Sequence, residues 1–135
     1  MRKWVPSVRV VELLNSTSIR IRGYTAGELL ETATFRRAGP IISLFGMGGI
    51  TFSRKWLVLS KKVCDAVQSP KYQASLVFHE LDHVAQQRDW GWIRFMIRYA
   101  WEWIKSGFSY ERMKKIGIEK EAYDLQAVFN QEIGY

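Results

Sequence analysis

Ser69 and Pro70 open the segment that most restricts how this chain can fold. A side-chain oxygen ahead of a proline at the first helical position is a strong helix start. Ala74, Val77, Phe78, Leu81, Val84 and Ala85 then recur at three- and four-residue steps. That spacing predicts an amphipathic helix running to about Gln87 with one face buried, and any core has to be built on it. His79 and His83 fall on the edge of that apolar face.

The pattern downstream stays helical. Trp92 to Lys105 reads as a second helix, with Arg94, Arg98, Glu102 and Lys105 forming a narrow polar stripe among apolar and aromatic residues. A helical turn from Ser109 to Lys115 ends near Gly117. A last helix from about Ile118 to Gln131 then carries Ile118, Ala122, Leu125 and Phe129 on one side. Upstream, Val8 to Leu13 and Ser18 to Arg22 are rich in β-forming residues and flank Asn15-Ser16-Thr17, which predicts an N-terminal hairpin. Thr25 to Thr32 reads as a short helix, Gly39 to Gly49 as a glycine-punctuated loop or strand pair, and Ile50 to Phe52 and Trp56 to Ser60 as strands. The 135 residues suit one domain spanning 1–135. The expected class is α+β, a small N-terminal β-sheet packed on a mainly helical C-terminal half.

Composition narrows the function classes. Nearly half of the residues are apolar, which suits a globular chain rather than a disordered one. The apolar stretches 38–52 and 90–104 are too short and too interrupted for a membrane span, and Met1 to Pro6 lacks the apolar run of a signal peptide. A cytoplasmic chain without a transmembrane segment is therefore expected. Cys64 is the only cysteine, so neither an internal disulfide nor a cysteine-based zinc knot can form. The net charge of +7 is concentrated in residues 1–71, which hold twelve Lys or Arg against four acids. Such a surface could meet nucleic acid or anionic lipid, but no groove-reading motif accompanies it, and the plainer expectation is a solvated basic surface. The glycines of 39–49 lack the phosphate-loop pattern, so no nucleotide site is expected.

The chemistry concentrates in His79-Glu80-Leu81-Asp82-His83. Two histidines four apart on a helix project from one face about a turn apart, which lets both imidazoles reach one zinc ion. Glu80 can then lie beside the metal without binding it, take a proton from a zinc-activated water and pass it to a leaving amine. These are the only histidines in the chain. Random placement would set them four apart with a glutamate after the first on the order of one time in a thousand.

A hydrolytic zinc keeps one position open and needs a third protein ligand. Histidine inventory excludes a third imidazole, leaving a carboxylate or, less readily, Cys64. Asp89 sits too near the end of the same helix, and Glu102 fits the polar stripe as a partner for Arg98. The final helix supplies the better donors, Glu119 and Glu121, which flank its apolar stripe from opposite sides at similar angles. Geometry does not choose between them.

His79-Glu80-Leu81-Asp82-His83-Val84 and Ile118-Glu119-Lys120-Glu121-Ala122-Tyr123 resemble the paired motifs of gluzincins, metalloproteases in which two helices deliver His, His and Glu. The second segment is similar to the Glu-x-Glu-Ala-Asp signature of the membrane-associated family that includes the CAAX-prenyl and stress proteases, and of small soluble relatives of the ImmA/IrrE kind. The resemblance implies a zincin-like fold, zinc held by His79, His83 and Glu119, with Glu121 the alternative third ligand, and Glu80 as general base and then acid. It implies hydrolysis of an amide in a protein, a peptide or a peptidoglycan-like cross-bridge. The chain departs from the pattern twice. Tyr123 stands where gluzincins often carry an aspartate that supports a histidine, and Asp82 replaces a small residue inside the first motif. Asp124 could take the supporting role but is turned by about 100° around the helix.

Other features have plainer alternatives. Trp56 to Ser60 could be the edge strand along which a substrate lies, or an ordinary sheet strand. Tyr110 or Tyr123 could donate to an oxyanion, although buried packing with a satisfied hydroxyl is the stronger expectation. The aromatic helix from Trp90 to Lys105 could dock on a membrane surface or a partner; a helix buried centrally is preferred. Two rivals to a peptidase stand: a non-catalytic zinc-stabilised binding or regulatory module, and a basic nucleic-acid or membrane-surface protein.

Overall fold

The computed structural model describes residues 2–39, 49–53 and 56–135. The core of the glycine-rich segment expected between Gly39 and Gly49 lies outside the described residues. The chain is mixed α+β. The described elements are β1 (Lys3–Trp4), α1 (Val8–Ser16), α2 (Ala26–Thr32), β2 (Thr34–Arg37), β3 (Gly49–Ser53), β4 (Trp56–Leu59), α3 (Lys61–Asp65), α4 (Pro70–Trp90), α5 (Trp92–Lys105), α6 (Tyr110–Met113) and α7 (Gly117–Ile133).

The N-terminal hairpin does not form. Val8–Ser16 is a helix, started by Ser7, whose hydroxyl accepts from Val10 N at 3.3 Å. A strand would bury alternate residues, whereas Val10, Leu13 and Leu14 are the ones buried here, a three-and-four spacing that fits a helix lying on α4. Tertiary packing of that stripe overrides the β preference of the valines. Residues 18–22 pair only through a bridge between Ile21 and Tyr24.

The sheet is small and mixed, in the order β1-β2-β4-β3. β1 runs antiparallel to β2, β2 parallel to β4, and β3 antiparallel to β4. β4 is therefore an interior strand, not the edge along which a substrate could lie. Its Leu57, Val58 and Leu59 are fully buried, as its position between two neighbours requires.

α4 is the axis of the molecule. Its apolar side meets α1, α2 and the sheet, and Phe78 stacks on Phe129 of α7 with ring centroids 4.3 Å apart. Only one face was expected to be covered, yet every residue from Val77 to Gln87 is buried. The second covering layer is α5 and α7, which close over a polar face made of His79, Glu80, Asp82, His83 and Gln86. Burying that many polar groups is costly unless they find partners, so the polar face of α4 has to be held by specific hydrogen bonds.

α5 reverses its expectation. Only Phe95 and Glu102 are buried along it, and it lies at the surface rather than at the centre. Glu102 does not pair with Arg98. It turns inward, and its carboxylate accepts from Ile118 N at 2.7 Å, satisfying a free amide at the start of α7. Arg98 stacks on Trp90, 3.9 Å from the ring centroid. Among the described residues no helix is long and apolar enough to cross a membrane.

Candidate metal centre

α4 and α7 form the site by facing each other. On α4, His79, Glu80 and His83 are all buried, and their potential ligand atoms lie within 4.8 Å of one another, a group able to hold a metal ion. On α7, the carboxylate of Glu119 reaches both imidazoles: Oε1 is 2.5 Å from His83 Nε2 and Oε2 is 3.5 Å from His79 Nε2. Glu121, two residues on, points elsewhere. Its oxygens meet Arg22 Nη1 at 2.5 Å and Gln86 Nε2 at 2.8 Å. The two glutamates that helical geometry left equivalent are thus separated by their partners, and only Glu119 faces the histidines.

Each imidazole is oriented from behind by a glutamine. Gln126 Oε1 lies 2.9 Å from His79 Nδ1, and Gln86 Oε1 lies 2.9 Å from His83 Nδ1. An amide oxygen only accepts, so both Nδ1 atoms carry the proton, and Nε2 is the atom each ring offers toward Glu119. The amide orientations are themselves fixed. Gln126 donates through Nε2 to Ser75 Oγ at 2.8 Å, and Gln86 donates to Asp82 Oδ2, Ile118 O and Glu121 Oε2. Such partners set tautomer and ring direction at metal sites.

Both departures from the gluzincin pattern find their place in this network. Asp82 belongs to the cluster that holds Gln86 and, through it, His83; burial, then the hydrogen bond and charge of Glu121, push its carboxyl up to about 8. Tyr123 packs its ring against His79, 4.4 Å between centroids, while Gln126 takes the supporting role. Asp124 does not: it pairs with Lys120 at 2.6 Å on the surface. Gln86 and Gln126 escaped the sequence reading, which sought a carboxylate. Their positions were nonetheless readable, since Gln86 is one turn after His83 and Gln126 two turns after Glu119 on the same helical face.

Three tyrosines complete the surroundings. Tyr110 donates to Glu119 Oε2 at 2.9 Å and shares a 2.7 Å hydrogen bond with Tyr123, and Tyr99 meets the His83 ring edge-on. Burial, then the charge of Glu119, raises the Tyr110 hydroxyl far above its ordinary range, so it remains a proton donor. Cys64 sits in the apolar core on α3, where burial pushes its thiol up to about 11. It has the character of a buried apolar residue, not of a thiolate ligand.

The electrostatics suit a cation. Burial alone would raise the Glu119 carboxyl, but His83 and then His79 hold it well below the carboxylate range. Burial alone would lower His83, but the charge and hydrogen bond of Glu119 raise it to about 10. The pair is an imidazolium and a carboxylate, with a proton on Nε2 where a cation would otherwise sit. Tetrahedral zinc places neighbouring donors about 3.3 Å apart. The 3.5 Å spacing from Glu119 to His79 already matches, and the shorter contact to His83 needs to open by less than about an ångström. Two imidazole nitrogens and one carboxylate form a borderline donor set, so the residues present fit such an ion.

Comparison with known proteins gives no family: no family model matches the chain, and neither the curated proteins nor the solved structures contain a match.

Proposed function

We propose that this chain is a zincin-like, zinc-dependent metallopeptidase acting on an amide bond. The observation that carries the reading is the closure of Glu119 from α7 onto Nε2 of both histidines of α4. His79, His83 and Glu119 would hold the ion. A zinc ion bound there would acidify water and polarise the carbonyl of an amide.

The chain's own residues supply the rest. Glu80 lies in the same buried cluster as the histidines, which supports a role in which its carboxylate would accept a proton from attacking water and return it to the departing amine nitrogen. Gln126 and Gln86 hold a proton at Nδ1 of each imidazole, which would leave Nε2 as the atom each ring offers to an ion. The Tyr110 hydroxyl, fixed between Glu119 and Tyr123, donates its one proton to Glu119 Oε2 and so would orient the carboxylate ligand.

A second reading, a metal-stabilised module without catalysis, is favoured by the depth of the site: His79, Glu80, His83 and Glu119 are each no more than 3 % exposed. The Glu80→Gln variant separates the two. It should retain metal and fold normally in either case. In a peptidase it abolishes cleavage of a quenched-fluorescent peptide library or of peptidoglycan fragments. Metal-replete wild type that hydrolyses no amide in either set, while removing the metal unfolds it, would establish the module instead.

A further inference from the structure

Six of the twelve exposed large apolar side chains among the described residues fall between Trp92 and Phe108. They are not scattered. Ile93, Ile97, Ala100, Trp101 and Ile104 recur along α5 at three- and four-residue steps and so form one stripe, which Phe108 extends past the helix end. Ile93 is 66 % exposed, Ile97 64 %, Trp101 58 %, Ile104 52 % and Phe108 65 %. The opposite side of α5, with Phe95 and Glu102, faces α4 and α7. A helix on a globular surface normally turns its apolar arc inward and leaves charge outside. This one places a second apolar arc directly toward solvent.

The flank of that arc is basic. Arg94, Arg98 and Lys105 form a stripe beside it, and Arg112 and Lys115 follow shortly after the helix, where Lys114 pairs with Glu111. Arg94 and Lys105 enter no ion pair among the described residues. The only acid on α5, Glu102, is buried against the start of α7. A row of isoleucines with tryptophan and phenylalanine, bordered by uncompensated arginine and lysine, is the arrangement by which a helix lies in the plane of a lipid surface. A second copy of the chain is a poorer occupant. An isologous contact opposes like surfaces, and α5 offers no exposed acid to meet its own basic stripe.

We infer that α5 docks this protein on an anionic bilayer surface, with Ile93, Ile97, Trp101, Ile104 and Phe108 entering the headgroup region and Arg94, Arg98 and Lys105 meeting lipid phosphates. The inner side of the same helix bears on the candidate metal centre: Phe95 and Tyr99 lie against the His83 ring, with centroids 5.8 and 6.3 Å away. Docking would therefore hold that centre one helix thickness from the lipid. The inference does not depend on the metal or on catalysis, because its readout is vesicle binding.

The test is flotation of the full chain with vesicles of phosphatidylcholine alone and of phosphatidylcholine mixed with phosphatidylglycerol, with quenching of tryptophan fluorescence by brominated lipid as a depth readout. The chain should float with the mixed vesicles, far less with the neutral ones, and progressively less as salt rises. Ile97→Ser with Ile104→Ser should weaken binding at least about tenfold while leaving the thermal midpoint unchanged, since both side chains are exposed. Arg94→Gln with Lys105→Gln should cost roughly tenfold or more toward mixed vesicles only. Absence of flotation with either vesicle would overturn the inference. So would binding that the isoleucine variant leaves intact, or sedimentation showing a dimer that the isoleucine variant dissociates.

Discussion

Replacing Gly117 by alanine should damage the fold and the metal centre together. Gly117 begins α7 at φ +41°, a backbone conformation that an alanine adopts at a cost of about 1–2 kcal/mol. A Cβ added there would run into the carboxylate of Glu102, which is buried and accepts from Ile118 N. Clearing the collision displaces that carboxylate and strands a buried amide, adding about 1–3 kcal/mol. The combined loss of roughly 2–5 kcal/mol corresponds to a fall in thermal midpoint on the order of 10 °C or more for a chain of this size. Glu119 lies two residues beyond, in the first turn of α7, so metal affinity should fall in the same variant. Calorimetry and a metal competition titration measure the two effects. Because the penalty arises partly from one contact, Glu102→Ala combined with Gly117→Ala should cost less than the sum of the two single changes. A Gly117→Ala protein that melts within a degree or two of wild type, or strict additivity in the pair, would refute the reasoning.

Gln126→Leu and Gln86→Leu should each weaken metal binding about 10–100-fold while leaving the ligands in place, because each removes the acceptor that holds a histidine Nδ1 proton; competition with a chromophoric chelator measures this. Glu132 ties the end of α7 to residues 17 and 18. The backbone N–H of Ser18, then the Thr17 and Ser18 hydroxyls, hold its carboxyl below the ordinary 4.5. A depressed folded value stabilises above the unfolded one and is lost as pH falls through the folded value. The gap in thermal midpoint between wild type and Glu132→Gln should therefore be full at pH 7 and close as the pH drops below about 4.5.

Long helices with clear periodicity were legible. α4, α5 and α7 start and end within a few residues of their expected limits because each joins an unambiguous stripe to a recognisable start or stop. The N-terminal helix was missed for a physical reason. Val8, Val10 and Val11 prefer strands locally, and only the packing of Val10, Leu13 and Leu14 on α4 decides the matter. For α5 the sequence displayed an apolar surface broken only by a narrow polar stripe, which suited central burial; Glu102 turning inward to reach Ile118 shows which side meets the core. At the site, spacing fixed the two histidines and Glu80 on one helix face. Helical spacing left Glu119 and Glu121 open and only the resemblance favoured Glu119; in the fold they are separated by Arg22 and Gln86 capturing Glu121, a contact between residues up to 99 apart in the chain. No local pattern encodes a pairing of that kind.

Metal content by elemental mass spectrometry on wild type, Glu119→Ala and Glu121→Ala, each purified without added chelator, tests the central claim most directly. Stoichiometric zinc in wild type and Glu121→Ala, with loss in Glu119→Ala, is the expected result. A wild-type protein free of metal that takes up none on titration, or a Glu119→Ala variant that binds zinc as tightly as wild type, would contradict the assignment of His79, His83 and Glu119 as one metal centre.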